Sequence, residues 1–143
     1  MKIRGLIVLL FAVALSVLPQ FANTSSAASG YTAQLISPTA GQVLYPGQRI
    51  RVEWRSVLPS IKLYPDLCEM EVWLSLDGGH TYTMQISPWL DPKAQFFYWT
   101  VPNTPTNQAV IDVRFGCEQF YPESYAPQPA SMFRIANTIV PSY

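Results

Sequence analysis

Short strand-like segments separated by proline and glycine constrain this chain more than any other feature. Thirteen prolines and seven glycines punctuate the sequence. After residue 28, no window repeats apolar residues with the 3.6-residue period of a helix. Between the breakers, apolar and polar residues alternate, as in strands with one face in a core and one in water. In Arg49–Arg55, for example, Ile50, Val52 and Trp54 share one face. The pattern predicts an all-β chain.

The strand-like segments follow one another closely and are joined mostly by short turns. They are residues 32–37, 42–45, 49–55, 68–76, 81–87, 95–101, 109–117 and 131–135. Residues 42–45 form only a short piece, so the eight segments make about seven strands in about 105 residues, the number and spacing of a two-layer β sandwich. The two longest connections, residues 56–67 and 118–129, are rich in proline and are predicted as loops.

The N-terminal residues are typical of a secretory signal peptide. Lys2 and Arg4 form a positive region, residues 6–17 form an apolar run, and small residues follow. Cleavage is predicted after Ala28, with Ala22 as the second choice. A membrane anchor is the alternative, but the run is shorter than the roughly 18–20 apolar residues that a membrane span needs.

The sequence therefore predicts a signal peptide over residues 1–28 and a single domain over residues 29–143. Of nine basic residues, Lys2 and Arg4 leave with the signal peptide, so seven face nine acidic residues and the net charge is near −2. No basic patch is present, which argues against nucleic acid and an anionic membrane as partners. We predict a secreted protein, extracellular or periplasmic, with no membrane insertion after signal cleavage.

Cys68 and Cys117 are predicted to form a disulfide, because an even cysteine count in an exported chain favours pairing. If the clear strands are named B, C, C′, E, F and G in chain order, the start of C lies beside the end of F. Side-chain phase agrees, since Cys68 shares a face with Met70 and Cys117 shares one with Phe115. The bridge closes about 50 residues, worth roughly 4 kcal/mol in the chain-entropy model. Two free buried thiols are the alternative.

Several motifs resemble those of immunoglobulin-like domains in secreted bacterial proteins and N-terminal domains of some fungal cell-wall proteins. Ser37–Gly41, followed by Ile50–Trp54, is similar to the opening motif of these domains, and Tyr98–Pro102 is similar to a later one. The resemblance covers residues 33 to about 135. It implies an all-β, antiparallel immunoglobulin-like or fibronectin-like sandwich of about seven strands.

Ser75–Tyr82 resembles an Asp-box, a β-hairpin motif, with Tyr82 in its tryptophan position. The resemblance implies a hairpin in which Asp77 bonds to nearby backbone N–H groups and an aromatic ring packs beneath. The Asp-box is a scaffold device in sialidases, so it implies no glycosidase activity here.

Catalytic chemistry is not predicted. His80 is the single histidine, which leaves no partner for a triad or a histidine-based metal site. Glu69 and Glu71 share an outward strand face, as a glycosidase pair would. A solvated face, with Glu71 and Arg114 as cross-strand partners, is the simpler interpretation. The chain is therefore predicted to be no enzyme and to use no metal or cofactor.

The two proline-rich connections are predicted to emerge at one end of the sandwich, with the disulfide at their base. Proline and the bridge reduce the entropy lost on binding, so this end is preorganised for recognition. The predicted ligand contacts are the aromatic residues Tyr64, Phe120, Tyr121 and Tyr125, with Trp73 as an outward-facing addition. The alternative is that the two loops only pack on each other.

The sequence thus predicts a secreted, non-catalytic binding module with a protein or glycan partner. A structural subunit of an envelope or extracellular assembly is the alternative, because open sandwich edges invite strand addition. A small secreted hydrolase is a third possibility. The ligand's identity and the oligomeric state do not follow from the sequence.

Overall fold

The computed structural model of the protein describes residues 30–137. The predicted signal peptide and its cleavage sites at Ala28 or Ala22 lie outside these residues. Within them, no helix is long and apolar enough to cross a membrane. The strands are β1 Thr32–Ser37, β2 Val43–Leu44, β3 Arg49–Val57, β4 Cys68–Ser75, β5 Met84–Gln85, β6 Phe96–Thr100, β7 Thr106–Cys117, β8 Tyr121–Pro127 and β9 Phe133–Ile135, and a 3-10 turn spans Pro129–Ser131.

The strands form two sheets that pack face to face. Sheet 1 has the order β1-β3-β6, and sheet 2 has the order β2-β9-β7-β4-β5, with β8 also paired to β7. All pairs are antiparallel except β2 with β9. The predicted all-β sandwich is confirmed, with nine strands in the described part of the chain rather than about seven.

Period-2 alternation places one face of each long strand in the core. In β3, Val52 and Trp54 are fully buried, and the Trp54 ring lies 6.3 Å from that of Phe97. The face that Val52 and Trp54 are predicted to share therefore lies in the core. The hydroxyl of buried Tyr31 donates a hydrogen bond of 2.9 Å to the Val113 carbonyl, which satisfies a polar atom inside the core.

The disulfide between Cys68 and Cys117 is confirmed. The antiparallel register of β4 and β7 places the two residues directly opposite each other at the end of the pair. The predicted neighbourhood of these strands and the predicted side-chain phase are thus both correct.

Residues 118–129, predicted as a loop, consist mostly of β8, so that prediction is wrong. β8 pairs with the end of β7, and only residues 118–120 form the turn between them. Pro122 and Pro127 hid the strand in the sequence. Proline lacks an N–H donor, but it is tolerated in strands at a sheet edge and at bulges. The β7–β8 register shifts between Phe115 and Cys117, which marks such an irregularity.

The return strand predicted for residues 81–87 is reduced to β5, Met84–Gln85. The turn that precedes it is long, since Leu74 pairs with Met84. Hydrogen bonds of Asp77 hold this turn and occupy residues that would otherwise extend the hairpin.

The edges of the two sheets are joined by the side chain of Gln128. Its amide accepts the Leu35 N–H at 3.0 Å and donates to the carbonyls of Ala33 and Ala126 at 2.9 and 2.8 Å. This amide therefore fixes β8 relative to β1. Because β8 forms one flank of the outer face of sheet 2, the same bonds hold that flank in place.

Candidate functional site

The outer face of sheet 2 carries an open groove of about 1110 Å³. Its floor is formed by outward side chains of β4 and β7, where Glu69 lies opposite Gly116 and Glu71 lies opposite Arg114. Residues 89–91 flank the β4 side and residues 121–123 of β8 flank the β7 side. Backbone hydrogen bonds between Met70 and Leu90 hold the first flank in place.

Negative charge dominates this groove. Among residues 30–137, Arg114 is the one cationic residue in its lining, which also contains six carboxylates: Asp66, Glu69, Glu71, Asp91, Glu118 and Glu123. Partial burial raises the pKa of Glu69, and the neighbouring charges of Glu71, Glu123 and Glu118 raise it further. Because like charges disfavour one another's ionised forms, a bound cation would relieve the crowding. We call this site the acidic groove.

Arg114 is held by ion pairs on the outer face. Its Nε donates to Asp112 Oδ2 at 2.7 Å, and its Nη1 lies 3.5 Å from Glu123 Oε1. Arg114 lies directly opposite Glu71, as predicted for cross-strand partners, and its described ion pairs go to Asp112 and Glu123. Asp112 also accepts the Ala126 N–H at 2.8 Å, so this carboxylate links β7 to β8.

Three aromatic rings surround the Arg114 guanidinium. Its central carbon lies 4.5 Å from the ring centroid of Trp73, 4.7 Å from that of Tyr125 and 5.7 Å from that of Tyr82. Cation–π attraction adds to the ion pairs. Arg114 is therefore a fixed part of the sheet surface, and its single positive charge offsets at most one of the six groove carboxylates.

Trp73 is held in place by a second set of hydrogen bonds. Its indole N–H donates to Glu71 Oε2 at 2.9 Å, and the Gln85 amide donates to the other oxygen of Glu71 at 3.2 Å. Hydrogen bonds between side chains of three neighbouring residues thus fix the indole plane. The outward orientation predicted for Trp73 is correct.

Trp89 is a groove residue that sequence reasoning missed. Its side chain is 75% exposed, although it is large and apolar. It lies between Pro88 and Pro92, so the segment reads only as a loop. The backbone bridge that brings it beside β4 joins residues 20 positions apart and has no local signal. An exposed tryptophan beside a groove is a common anchor for a partner.

Gly116 was also missed. It lies in the outward phase of β7, and a Cβ atom there would meet the Glu123 Cα at 3.4 Å. This is ordinary van der Waals contact, so a side chain can be accommodated at this position, and glycine leaves the floor beside Glu69 open. A larger side chain at this position would project into the acidic groove.

The predicted recognition residues fall into two groups rather than one surface. At the disulfide end, the Tyr64 and Phe120 rings stack at 5.4 Å, and Lys62 Nζ lies 4.8 Å from the Tyr64 centroid. The connections that carry them do pack on each other, as the alternative predicted. Phe120 nevertheless remains 54% exposed.

Of the other three predicted residues, Trp73 and Tyr125 lie on the outer face of sheet 2, whereas Tyr121 lies opposite core-facing Cys117 and packs against the core. Trp73 and Tyr125 flank Arg114, and Tyr125 is 58% exposed. Tyr121 lines the acidic groove and packs against Phe115 with ring centroids 5.5 Å apart. Whether any of the five contacts a ligand stays a prediction.

The Asp-box-like turn is a closed hydrogen-bond network beside the site. Ser75 Oγ donates to Asp77 Oδ1 at 2.6 Å and accepts the Gly79 N–H at 2.8 Å. The two carboxylate oxygens of Asp77 accept the N–H and hydroxyl of Thr81 at 2.9 and 2.7 Å. These bonds hold the pKa of Asp77 well below its usual range. The predicted bonding of Asp77 to backbone N–H groups is confirmed.

Between residues 30 and 137, no three His, Cys, Asp or Glu side chains are placed so that they could hold a metal ion.

Comparison with models of known protein families gives no match, and comparison with curated proteins gives none either. Geometry and charge are therefore what the candidate site rests on.

Proposed function

We propose that this chain is a secreted, non-catalytic binding module that takes a positively charged segment of a protein in the acidic groove. One observation carries the proposal: in the part of the chain that the structure describes, six carboxylates and two tryptophans, Trp73 and Trp89, line an open groove whose one cationic residue is Arg114. Carboxylates attract a guanidinium or ammonium group, and indole rings add cation–π attraction once water is displaced.

A basic protein segment fits the groove better than a neutral glycan does. Glycans stack on aromatic rings, but a neutral sugar leaves the six carboxylates without counter-charge. Complementary charge also speeds encounter and rejects acidic competitors. The peptide interpretation therefore accounts for both the rings and the charges.

Secretion is supported by the predicted signal peptide and by the disulfide, since disulfides persist mainly in oxidising compartments. Relationship to secreted immunoglobulin-like domains is supported by the strand order, in which β1, β3 and β6 correspond to strands A, B and E of that fold, and β9, β7 and β4 to G, F and C. The hydrogen bonds of Asp77 support the Asp-box resemblance of the hairpin.

The non-catalytic part of the proposal rests on how the carboxylates are used. Glu71 accepts hydrogen bonds from both Trp73 and Gln85, one on each carboxylate oxygen, which fixes its position. A carboxylate held in this way serves to orient an indole ring, and it is poorly placed to exchange protons with a substrate.

The experiment is titration of the mature protein with an arginine-rich peptide and with a glutamate-rich peptide, followed by tryptophan fluorescence. We expect the arginine-rich peptide alone to bind. Glu69→Lys should weaken this binding by about tenfold or more. Glu53→Lys makes the same charge change on sheet 1 and should leave the affinity within about twofold.

Gly116→Leu tests the groove by shape instead of charge. The leucine side chain projects into the floor beside Glu69 and should reduce peptide affinity while circular dichroism and thermal unfolding show an intact fold. Equal binding of both peptides, or wild-type affinity in both Glu69→Lys and Gly116→Leu, would refute the proposal.

A further inference from the structure

The outer face of sheet 1 has the opposite charge. Arg49, Arg51 and Arg55 point outward from β3. Arg51 lies opposite Tyr98 of β6, and Arg55 lies opposite Gln34 of β1. The Arg49 guanidinium lies 5.0 Å from the Tyr98 ring centroid, and the Arg51 guanidinium lies 4.0 Å from that of Phe96. We call the three arginines, Phe96 and Tyr98 the basic face.

The aromatic rings of the basic face are open to water. Tyr98 is 57% exposed and Phe96 is 44% exposed, and their rings form an edge-to-face pair at 6.0 Å. Large rings between arginines are the side chains that contribute most to protein interfaces. Exposed apolar surface of this kind indicates a binding partner.

We infer that the basic face of one copy of this protein binds the acidic groove of a second copy. The inference rests on the proposed function and names the positively charged segment as part of the chain itself. Among the described residues, the three arginines of the basic face have one acidic residue between them, Glu53. The acidic groove has six carboxylates and one arginine, Arg114, which is already ion-paired. The two surfaces are therefore complementary in charge. Phe96 and Tyr98 supply aromatic surface that matches Trp89 and Trp73.

The placement of the two surfaces determines what kind of assembly forms. They are the outer faces of the two stacked sheets, so they point away from each other. A copy whose groove is filled still presents its basic face to the next copy. The contact joins two different patches, so it is heterologous, and it builds an open head-to-tail chain unless the rotation between copies closes a ring.

Sedimentation velocity of the mature protein over a concentration series tests the inference. At low salt we expect oligomers that grow with concentration, and at high salt we expect them to dissociate, since exposed charges are screened. Arg51→Glu should weaken self-association by about tenfold or more. Arg134→Glu makes the same charge change on β9 and should associate like the wild type.

Mixing two charge-reversed variants gives the sharper result. Arg49→Glu/Arg51→Glu retains only its groove, and Glu69→Lys/Glu123→Lys retains only its basic face. Each should be monomeric alone, and the mixture should form a one-to-one dimer that does not grow. Combining all four substitutions in one chain leaves both surfaces net negative, so this chain should remain monomeric.

The outcomes separate this inference from the proposed function. If the wild type binds the arginine-rich peptide but is a monomer at every concentration and salt level, the second copy is excluded and the groove retains a foreign partner. If neither peptide binding nor self-association occurs, both proposals fall. Undiminished oligomers in the two double variants would also overturn the inference, because another surface would then join the copies.

Discussion

Asp112 is a buried residue that stabilises the candidate site through its contacts with Arg114 and β8. The Asp112 carboxylate is 2% exposed and the side chain of its partner Arg114 is 13% exposed. Burial raises the pKa of Asp112, while the hydrogen bonds from Arg114 and from the Ala126 N–H act in the opposite sense. A buried carboxylate needs such compensation, because an unpaired charge away from water is strongly destabilising.

Arg114→Met should therefore destabilise the protein by about 3 kcal/mol at neutral pH. The loss should shrink on acidification. Without Arg114, the pKa of folded Asp112 rises further above its unfolded value, so folding takes up a proton and stability increases as the pH falls. Urea unfolding at pH 7 and pH 5 measures both effects.

Asp112→Asn/Arg114→Met is the matched control for this prediction. The asparagine oxygen still accepts the Ala126 N–H, but it carries no charge. The double variant should recover most of the lost stability, and its unfolding free energy should vary less with pH. Arg114→Met could instead lower the unfolding free energy by the same amount in Asp112→Asn as in the wild type. The guanidinium would then stabilise the protein by packing on its three aromatic neighbours and not by its charge.

At the scale of elements, the β4–β5 hairpin is held by Asp77 rather than by strand pairing. β5 has two residues, whereas Asp77 accepts two hydrogen bonds from Thr81 and one from Ser75. The hairpin carries Tyr82, whose ring faces Arg114. Its turn therefore supports one side of the aromatic cluster on the outer face of sheet 2.

The hairpin should consequently loosen in acid. The folded pKa of Asp77 lies below its unfolded value, so its stabilisation is complete above the unfolded pKa of about 3.9 and is lost as the pH falls below it. The difference in melting temperature between wild type and Asp77→Asn should narrow as the pH drops from 6 to below about 4. Thr81→Val, which removes only the hydroxyl donor, should give a smaller difference. A gap that widens in acid would contradict this role.

The same elements show what could be predicted from the sequence. β1 has the predicted bounds, and β3 is two residues longer than the segment predicted for it. Both predictions succeed because alternation and flanking prolines are local signals. β8 was missed because its pairing depends on a neighbouring strand, and its prolines mask the alternation. Strand phase predicted the outward side chains of the groove floor. The flanks at Trp89 and Tyr121 depend on tertiary contacts and carry no local pattern.

For the whole molecule, the distribution of charge matters more than its sum. A net charge near −2 predicts no charged partner, yet it conceals an acidic groove on one sheet and an arginine-rich face on the other. Composition averages over the two surfaces. Only the packing of one sheet on the other places them on opposite sides of the sandwich, where they can act as two complementary binding surfaces.

This distribution predicts that binding of a positively charged partner weakens as the pH falls, because the acidic groove loses charge and the partner does not. Arginine keeps its charge at all relevant pH values, so the charge of an arginine-rich peptide does not change with pH. Glu69, with a raised pKa, loses its charge before an ordinary glutamate would as the pH falls. A bound cation favours the ionised form, so binding releases protons and affinity falls as the pH decreases toward 4.

Glu69→Gln isolates this contribution, because it removes the charge but keeps the size of the side chain. Its affinity for the arginine-rich peptide should be lower than that of the wild type at pH 7 and should change less between pH 7 and 5. Calorimetric titration in two buffers of different ionisation enthalpy measures the affinity and the released protons together. If affinity rises in acid, or if Glu69→Gln keeps the full pH dependence, Glu69 is not a contact. The attraction would then come from the other carboxylates of the acidic groove or from outside it.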